Sequence, residues 1–261
     1  MVGKVIWITG ASSGIGEALA YKLNSMGCKI ILSARREDVL SGVKKNCEYP
    51  DRATVLPLNL TDFQSLKSKT KNAIEIYGKV DILINNAGLS QRSLIAETKF
   101  EVYKQMIDVN YLGTINLTKN LLPYFITQKS GHFVTVTSLM GKFSSPYRSG
   151  YCGAKHALHG FFDALRMEHE KDNIQVTLIC PGFIQTNVAK NALTGDGSAL
   201  HQEDNATKNG MPVNQCAKEI VAAIEKKNFE VYIGGKEKYG IYLKRFFPKL
   251  LHKIVLNSKV R

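Results

Sequence analysis

Short runs of β-branched and apolar residues alternate with longer segments of helical period along most of this 261-residue chain. The predicted strands lie at 4–9, 29–33, 53–56, 81–84, 132–137, 175–179 and 231–233. Apolar residues spaced i, i+3, i+4 predict helices at 14–26, 37–46, 63–77, 100–122, 150–171 and 213–227. This alternation predicts an α/β fold with a doubly wound, seven-stranded parallel sheet, in which ligands bind at the carboxyl ends of the strands.

The size of the chain suits one domain over residues 1–261. Because 44% of the residues are hydrophobic, the chain can bury a single large core. One long irregular insertion is predicted at 189–211, where apolar residues are few and Thr194 to Ser198 read TGDGS. We expect this insertion to form a lid over a substrate.

A glycine-rich turn follows the first predicted strand and opens the first helix. Gly10, Gly14 and Gly16 allow a tight turn and a close approach to a pyrophosphate, and the free N–H groups of the helix attract that anion. In this context the turn indicates dinucleotide binding in a Rossmann fold. The predicted cofactor contacts of the turn are Gly10, Ser12, Ser13, Gly14, Ile15 and Gly16.

The spacing TGxxxGxG at residues 9–16 resembles that of the short-chain dehydrogenase/reductase family, and further motifs of that family follow along nearly the whole chain. The matching residues are Asn85, Asn86, Ala87 and Gly88 (NNAG), Asn110, Ser138, Tyr151 with Lys155 (YxxxK), and Pro181 with Gly182. Residues 147–149 and the NALTGDGS sequence at 191–198 resemble the branch of 11β-hydroxysteroid dehydrogenases and related lipid-ketone reductases. The resemblance implies an oxidoreductase with a nicotinamide cofactor.

Tyr151 and Lys155 are the predicted proton-transfer pair. Hydride addition to a carbonyl carbon creates an alkoxide, which needs an acid suited to neutral pH. Because Lys155 lies four residues after Tyr151 on the same helix face, we expect its ammonium to lower the pKa of the phenol well below its usual value of about 10. The resemblance implies that Ser138 orients the carbonyl, that Lys155 also binds the nicotinamide ribose, and that Asn110 holds a water that relays protons. For Asn110, a role in capping or kinking its helix stays open.

The end of the second strand predicts which cofactor binds. Ala34 stands where relatives that prefer NAD carry an acid, and Arg35 and Arg36 follow it. Guanidinium groups bind phosphate in a bidentate manner, so NADP(H) is favoured over two merely solvated charges. The other cofactor contacts implied by the resemblance are Asn59 and Leu60 beside the adenine, Asn86, Ala87 and Gly88, Tyr151 and Lys155, and Pro181, Gly182, Ile184 and Thr186.

The C-terminal segment is strongly basic. Of the formal charge of +13, a net +7 comes from residues 236–261, where eight Lys or Arg accompany one Glu. At 239–256 the basic residues interleave with aromatic and aliphatic ones, which is typical of a basic amphipathic helix, here with a break at Pro248. Packing on the core and peripheral membrane contact both stay open, and nucleic-acid binding is not predicted.

The remaining features set the expected surroundings of the protein. Five cysteines lack zinc-site or disulfide spacing and are expected to be buried in a reducing compartment. His156 and His159 lack a third ligand nearby in the sequence, so no metal is predicted. The first strand begins at residue 4 and leaves no room for a signal peptide, so we expect a cytoplasmic location, with membrane-peripheral contact left open. The resemblance implies a homodimer or homotetramer.

These features together predict an NADP(H)-dependent carbonyl reductase that acts reversibly on a lipophilic substrate, such as a steroid, a retinoid or a lipid ketone. Two other classes stay open: a non-catalytic dinucleotide sensor, and a membrane or nucleic-acid adaptor that works through the basic C-terminal segment. The intact set of Asn110, Ser138, Tyr151 and Lys155 favours the enzyme, because a sensor could lose these residues and keep the fold.

Overall fold

The computed structural model describes residues 1–202 and 204–258. Glu203 of the expected lid, and Lys259, Val260 and Arg261 of the basic C-terminal segment, lie outside the described residues. The strands are β1 (Val5–Thr9), β2 (Lys29–Ser33), β3 (Ala53–Val55), β4 (Ile82–Asn85), β5 (Gly131–Val136), β6 (Ile174–Pro181) and β7 (Glu230–Ile233). They form one sheet in the order β3-β2-β1-β4-β5-β6-β7, and every pair of neighbours is parallel. The doubly wound fold predicted from the sequence is confirmed.

Helices cover both faces of this sheet. Within the described residues they are α1 (Gly14–Ser25), α2 (Glu37–Lys45), α3 (Leu66–Tyr77), α4 (Phe100–Ile107), α5 (Gly113–Gln128), α6 (Ser149–Glu168), α7 (Asn205–Lys208), α8 (Val213–Glu225), α9 (Gly240–Phe246) and α10 (Pro248–Asn257). Apolar residues of α1, α2 and α8 share one core cluster, and those of α3, α5 and α6 share another.

Strand β1 shows how one run of sequence serves both clusters. Ile6 and Ile8 belong to the cluster of α1, whereas Val5 and Trp7 belong to that of α6, because successive side chains of a strand point to opposite faces. This explains why the strands read as continuous apolar runs rather than as alternating ones. Because all the strands are parallel, the glycine turn that follows β1 lies at the edge of the sheet where the strands end.

The helix predicted at 100–122 is interrupted. It ends at Ile107, a π-helical turn spans Asp108–Leu112, and α5 begins at Gly113. Gly113 allows this, because a Cβ atom there would lie 2.5 Å from the carbonyl oxygen of Leu60. Such turns insert one extra residue into a helix and often occur at functional sites. The interruption places Asn110 in the π-helical turn.

Helix α5 also continues past the predicted end at 122. Pro123 lies inside it and removes one hydrogen bond, which leaves the carbonyl of Lys119, four residues earlier, without its helical donor. Lys119 is exposed, so water can satisfy that carbonyl. Phe125 is buried beside Phe133, with their ring centroids 4.8 Å apart, and this contact stabilises the extra turn.

The expected lid at 189–211 is better packed than its composition predicts. Ala189, Ala192 and Leu193 are buried, and Leu193 bridges to Gln91. The four-residue helix α7 interrupts the otherwise irregular segment, and Asp204 caps it by accepting a hydrogen bond from the Thr207 N–H. The described part of the segment is therefore a packed wall rather than a loose loop.

The C-terminal segment breaks at Pro248 as predicted. Leu251 of α10 is buried against Leu139, Phe143 and Cys180, so one face packs on the core. The opposite face leaves large apolar side chains exposed, namely Tyr242, Phe246, Phe247, Leu250, Ile254 and Leu256. Among the described residues, none of the helices has both the length and the apolar character needed to cross a bilayer.

Candidate active site

A cavity of about 1260 Å³ opens at the carboxyl ends of the strands, where the parallel sheet is expected to bind ligands. This volume exceeds that of a typical pocket for one small molecule. Most of the predicted site residues line it: Gly10, Ser12, Ser13, Gly14, Ile15, Arg35, Arg36, Asn59, Leu60, Asn86, Ala87, Gly88, Ser138, Tyr151, Lys155, Pro181, Gly182, Ile184 and Thr186. Gly16 and Asn110 do not, and both support the wall from behind.

The glycine turn is closed against its neighbours. Gly10 and Gly14 have φ angles of +65° and +58°, a region that favours glycine. A Cβ atom at Gly16 would lie 2.3 Å from the carbonyl oxygen of Gly10, so the helix could not approach the turn with any side chain there. Asn86 Nδ2 donates to the carbonyl oxygens of Thr9 (3.1 Å) and Gly10 (3.2 Å). The NNAG segment therefore clamps the turn and leaves the start of α1 facing the cavity.

The side chain of Asn110 binds the loop that follows β4 rather than facing the cavity. Its side chain is buried; Oδ1 accepts from the Leu89 N–H at 2.8 Å and Nδ2 donates to the Leu89 carbonyl at 3.0 Å. A Cβ atom at Gly88 would lie 2.7 Å from Asn110 Oδ1 and 3.5 Å from Lys155 Nζ, so all three residues meet. The π-helical turn is what brings Asn110 to this place.

Ser138 follows β5 and caps a short 3₁₀ turn, Leu139–Gly141. Its hydroxyl accepts from the Met140 N–H at 3.1 Å and donates to the Pro181 carbonyl at 3.4 Å. These two contacts fix the hydroxyl between the ends of β5 and β6. Ser138 and Tyr151 both line the cavity.

Tyr151 and Lys155 lie on one face of α6, and burial raises the pKa of Tyr151 above its usual value. The Ser138 hydroxyl, Arg92 and Arg148 oppose that increase. Lys155 Nζ donates to the Val136 carbonyl at 2.9 Å, and burial lowers its pKa to about 8.

The prediction that the pKa of Tyr151 lies well below its usual value is therefore wrong. Burial disfavours the charged forms of both groups and has the largest influence on each pKa. Lys155 Nζ also lies 5.8 Å from the centre of the tyrosine ring, where it interacts with the ring face. Tyr151 therefore carries its proton at neutral pH.

Arg35 and Arg36 are exposed at the cavity wall, just after β2, where the sequence predicted a phosphate contact. Asn59 lines the same end, and its Oδ1 accepts from the N–H (3.2 Å) and the hydroxyl (3.0 Å) of Thr61. The amide NH₂ of Asn59 is thus the part of the side chain that can donate to a ligand.

The segment after β6 is fixed by a carboxylate that the sequence did not single out. Glu237 Oε1 accepts from the backbone N–H groups of Phe183 (3.2 Å) and Gly235 (3.0 Å). A Cβ atom at Gly182 would lie 2.3 Å from the same oxygen. Further along, Thr186 packs against Gly14, since a Cβ atom added at Gly14 would lie 3.2 Å from the methyl carbon of Thr186. Pro181 to Thr186 therefore close over the glycine turn.

Three further side chains at or next to the cavity wall were not predicted as site residues from the sequence. Gln91 Oε1 accepts from the Gly150 N–H at 2.7 Å, which satisfies a free donor at the start of α6. Arg92 and Arg148 line the cavity wall on the lid side, near Asp204. Gln91 and Arg92 follow the NNAG motif closely, and Arg148 precedes Tyr151 by three residues, but their contacts join distant parts of the chain. Only the proximity to the motifs could have pointed to them.

A buried polar cluster lies behind Ser138. His159 Nδ1 is 3.2 Å from Glu230 Oε2, and Cys180 Sγ is 3.9 Å from His159 Nε2, so the fold gives His159 the neighbours that its local sequence lacks. Lys142 Nζ lies 2.7 Å from the same Glu230 oxygen and places a positive charge beside this carboxylate. Burial would raise the pKa of Glu230, but hydrogen bonds with His159, Lys142 and Tyr232 lower it to about 2. We interpret the cluster as an ion-pair network.

The cysteines are all buried and free, as expected. Burial raises the pKa of Cys152, and that of Cys180 to about 12, so both stay thiols at neutral pH. Neither has the character of a nucleophile.

Comparison with known proteins gives consistent matches. The family model described as short chain dehydrogenase matches residues 4–196. The chain is 43% identical over 251 residues to "Dehydrogenase/reductase SDR family member 7" of Homo sapiens, with 94% of this chain and 74% of that protein covered. It is 39% identical over 267 residues to "Dehydrogenase/reductase SDR family protein 7-like" of Drosophila melanogaster, with 99% and 81% covered.

Solved structures share the whole fold. A short-chain dehydrogenase from Streptomyces avermitilis superposes with a TM-score of 0.82 at 27% identity, covering 99% of this chain and 97% of that chain. A short chain dehydrogenase from Burkholderia cenocepacia, solved in complex with NADP, gives a TM-score of 0.81 at 22% identity, with 98% and 99% covered. At that lower identity the second likeness supports the fold alone.

Proposed function

This chain belongs to the short-chain dehydrogenase/reductase family, and on that premise we propose that it is an NADP(H)-dependent oxidoreductase that interconverts a carbonyl and a secondary alcohol on a lipophilic molecule. The observation that carries the proposal is the placement of Tyr151, Ser138 and Lys155 around the same cavity as the glycine turn and Arg35.

The cavity fits the dinucleotide by its own geometry. The positions of Gly10 and Gly16 leave no room for a Cβ atom, and the start of α1 presents backbone donors to a pyrophosphate. Arg35 and Arg36 supply guanidinium groups for a 2′-phosphate, and Ile184 and Thr186 line the place proposed for the nicotinamide. When bound, the cofactor supplies the hydride in reduction and accepts it in oxidation.

The chain's own residues handle the proton. In the reduction direction, the Tyr151 hydroxyl donates its proton to the carbonyl oxygen as the carbon gains the hydride, and the product is a neutral alcohol. The Ser138 O–H turns from the Pro181 carbonyl towards the substrate and donates a hydrogen bond to the same oxygen. Lys155, with a pKa of about 8, is suited to return a proton towards Tyr151 at neutral pH. Asn110 keeps Leu89 and Gly88 in place beside Lys155, and we retain its water-relay role as a proposal.

A steady-state assay tests the function. Purified protein is mixed with NADPH or NADH and with a ketosteroid, a retinal or a long-chain ketone, and nicotinamide oxidation is followed by absorbance. Tyr151→Phe should lower kcat by about 10²- to 10⁴-fold and leave NADPH affinity within about threefold. Tyr124→Phe, on the exposed face of α5, is the matched control and should leave kcat unchanged.

Arg35 tests the cofactor part. Arg35→Ala should raise the KM for NADPH about tenfold or more and leave that for NADH nearly unchanged, because only NADPH carries the 2′-phosphate. Equal wild-type kcat/KM values for the two cofactors would contradict NADP(H) preference. Preference for small sugars or quinones would contradict the lipophilic substrate, and NADPH binding without any turnover would favour a sensor.

Contact with a membrane surface is a second proposal, favoured by the exposed apolar face of α9 and α10. Phe246 and Phe247 are 68% and 62% exposed, and the neighbouring Lys244, Arg245, Lys249 and Lys253 could contact anionic headgroups. Leu251 and Val255 of α10 line the cavity, so this surface adjoins the substrate site. A lipophilic substrate could then enter from the membrane side. We keep the cytoplasmic location as a proposal. We also keep a homodimer or homotetramer as a proposal, and either oligomer would form through α4, α5 and α6.

A further inference from the structure

Two arginines share one carboxylate in the lid-side wall of the cavity. Arg92 Nη2 lies 2.9 Å from Asp204 Oδ2, and Arg148 Nη2 lies 3.9 Å from the same oxygen. The three side chains are only 10%, 5% and 7% exposed. Both arginines line the cavity.

The charges of this group do not balance. Burial lowers the pKa of Arg148 to about 10, which still leaves it charged at neutral pH. Two guanidinium groups and one carboxylate give a net charge of +1. Among the described residues that line the cavity, Glu237 is the single acid, and its Oε1 already accepts from two backbone N–H groups. A buried charge without a counterion is unfavourable unless a partner arrives.

The hydrogen-bonding capacity of the pair is also incomplete. Arg92 Nη1 donates to the Ser90 hydroxyl (2.9 Å) and the Gln91 carbonyl (2.8 Å), but its Nε is buried without a partner among the described residues. Arg148 Nη1 donates to the Ser145 hydroxyl at 2.9 Å, and the distance from Nη2 to Asp204 is too long for a hydrogen bond. An oxyanion in the cavity would use such donors.

The position of the pair relates it to the substrate rather than to the cofactor phosphates. Arg148 precedes Tyr151 by three residues, and both arginines lie near enough to the phenol to lower its pKa. Arg35 and Arg36, in contrast, follow β2 on the other side of β1. Leu89 and Leu193 also line the cavity, and both Leu89 and Tyr151 pack against the apolar cluster of Val102, Met106 and Leu193, which adds apolar surface beside the charges.

We propose that Arg148 and Arg92 bind a carboxylate of the substrate, so that the carbonyl compounds reduced at Tyr151 are lipophilic oxo acids, with the corresponding hydroxy acids as products. The inference rests on the proposed function and names its substrate class. The carboxylate would take its hydrogen bonds from the free guanidinium donors and balance the excess charge. The apolar wall would take the hydrocarbon part.

The test compares acids with their own esters. Medium-chain oxo acids, with the ketone two to eight carbons from the carboxylate, are assayed with NADPH beside their methyl esters. At the best spacing, kcat/KM for the acid should exceed that for the ester by on the order of 10- to 100-fold, as expected for a buried hydrogen bond to a charged group. Arg148→Met should remove this preference by raising the KM for the acid much more than the KM for the ester.

Arg148→Met is expected to fold, because it leaves Asp204 paired with Arg92 alone and removes the unbalanced charge. Thermal unfolding checks this. Arg52→Met is the matched control, since Arg52 precedes β3 at the opposite edge of the sheet, and it should keep the acid preference. Arg148→Lys should keep part of the preference that Arg148→Met loses, because the ammonium group retains the charge but cannot bind a carboxylate in a bidentate manner.

A binding measurement separates this inference from the proposed function. Dodecanoate, which cannot be reduced, should bind the complex with NADP⁺ at least tenfold more tightly than methyl dodecanoate does, and Arg148→Met should abolish the difference. If no ketone is turned over, the proposed function fails, and dodecanoate binding still decides whether Arg148 and Arg92 bind a carboxylate. Equal acid and ester values in the wild type would overturn it. So would an Arg148→Met variant with equal losses in kcat for acid and ester and a shifted pH profile, or with weakened NADPH binding.

Discussion

At Gly16, the space for one carbon atom decides whether helix α1 can approach the glycine turn. A Cβ there would lie 2.3 Å from the Gly10 carbonyl oxygen and 2.5 Å from Asn86 Nδ2. We expect Gly16→Ala to lower the free energy of unfolding by about 1–3 kcal/mol, because the helix and the turn must separate. It should also weaken NADPH binding, since the donors at the start of α1 move. Urea unfolding and a fluorescence titration measure the two effects.

Gly42 provides the control for that substitution. It lies in α2 with nothing within 4 Å of an added Cβ. Gly42→Ala should therefore raise the free energy of unfolding by about 0.5–1 kcal/mol and leave NADPH binding unchanged. If Gly16→Ala behaved like Gly42→Ala, the close packing of the turn would be contradicted.

Residue identities at the site could be predicted, but their electrostatics could not. The spacing of the motifs indicated Ser138, Tyr151 and Lys155, because each follows a strand or lies on one helix face. The direction in which the pKa of Tyr151 shifts depends on burial, and the apolar cluster that Tyr151 packs against consists of Val102, Met106 and Leu193, which come from other elements. That burial has no signature near Tyr151 in the sequence.

Within the sheet, His132 couples β5 to β6. Its Nε2 lies 2.8 Å from the Thr177 hydroxyl, and burial, with a contribution from Lys227, lowers its pKa from 6.5 to about 4. Above pH 6.5 the imidazole is neutral in both the folded and the unfolded chain. As the pH falls from 6.5 to 4, the unfolded chain binds a proton that the folded chain does not, so stability is lost, by up to about 3 kcal/mol.

Denaturant unfolding at about pH 7.5 and about pH 4.5 measures this linkage. The wild type should lose more stability between the two conditions than His132→Gln, which does not titrate there. His252→Gln, at an exposed position of α10, should lose as much as the wild type. Equal losses in the wild type and in His132→Gln would show that His132 is not the group responsible.

Helices and strands with a regular spacing of apolar residues were predicted well. Features that depend on tertiary contacts were not. The spacing of apolar residues over 100–122 predicts one continuous helix. A π-helical turn adds only one residue to the helix, which is too small a change to be recognised in that spacing. Its cause is distant, because Asn110 bonds to Leu89 and Gly113 packs on Leu60. The extension of α5 past Pro123 likewise depends on Phe133 in the next strand. Neither is readable from local sequence.

Across the whole molecule, Asp204 ties the lid wall to the loop after β4 and to the start of α6. Asp204→Asn would leave Arg92 and Arg148 buried without their shared carboxylate. We expect a loss of about 3–5 kcal/mol in the free energy of unfolding, the usual range when one partner of a buried ion pair is removed. Limited proteolysis should also become faster within 189–211.

The exposed pair Lys71 and Glu75 supplies the comparison. These side chains lie 3.6 Å apart on α3 and are well exposed, so Glu75→Gln should change stability by less than about 0.5 kcal/mol. An equally small effect of Asp204→Asn would indicate that the lid wall is held by its apolar contacts alone. Asp204 and Arg92 are 112 positions apart, which is why their pairing could not be predicted from the sequence.

The exposed surface of α9 and α10 makes a prediction about membranes. Phe246→Ser with Phe247→Ser should reduce sedimentation with vesicles of phosphatidylcholine and phosphatidylserine several-fold, because two apolar side chains no longer enter the interface. Both side chains are exposed, so the thermal unfolding temperature should stay the same. Ile95→Ser with Met167→Ser, which are exposed elsewhere, should leave sedimentation unchanged. Undiminished sedimentation of the first variant would refute the membrane proposal.

The cavity wall includes residues from Thr9, at the end of the first strand, to Ser258, after the last helix. A polypeptide still emerging from the ribosome, or one shortened by a premature stop, therefore lacks part of the pocket. Since a ligand stabilises only the state that binds it, by an amount that grows with its concentration, a ligand that contacts both parts of the wall would protect molecules that carry the whole wall and leave incomplete ones to proteases. The amount of this protein in a cell should then follow the supply of that ligand.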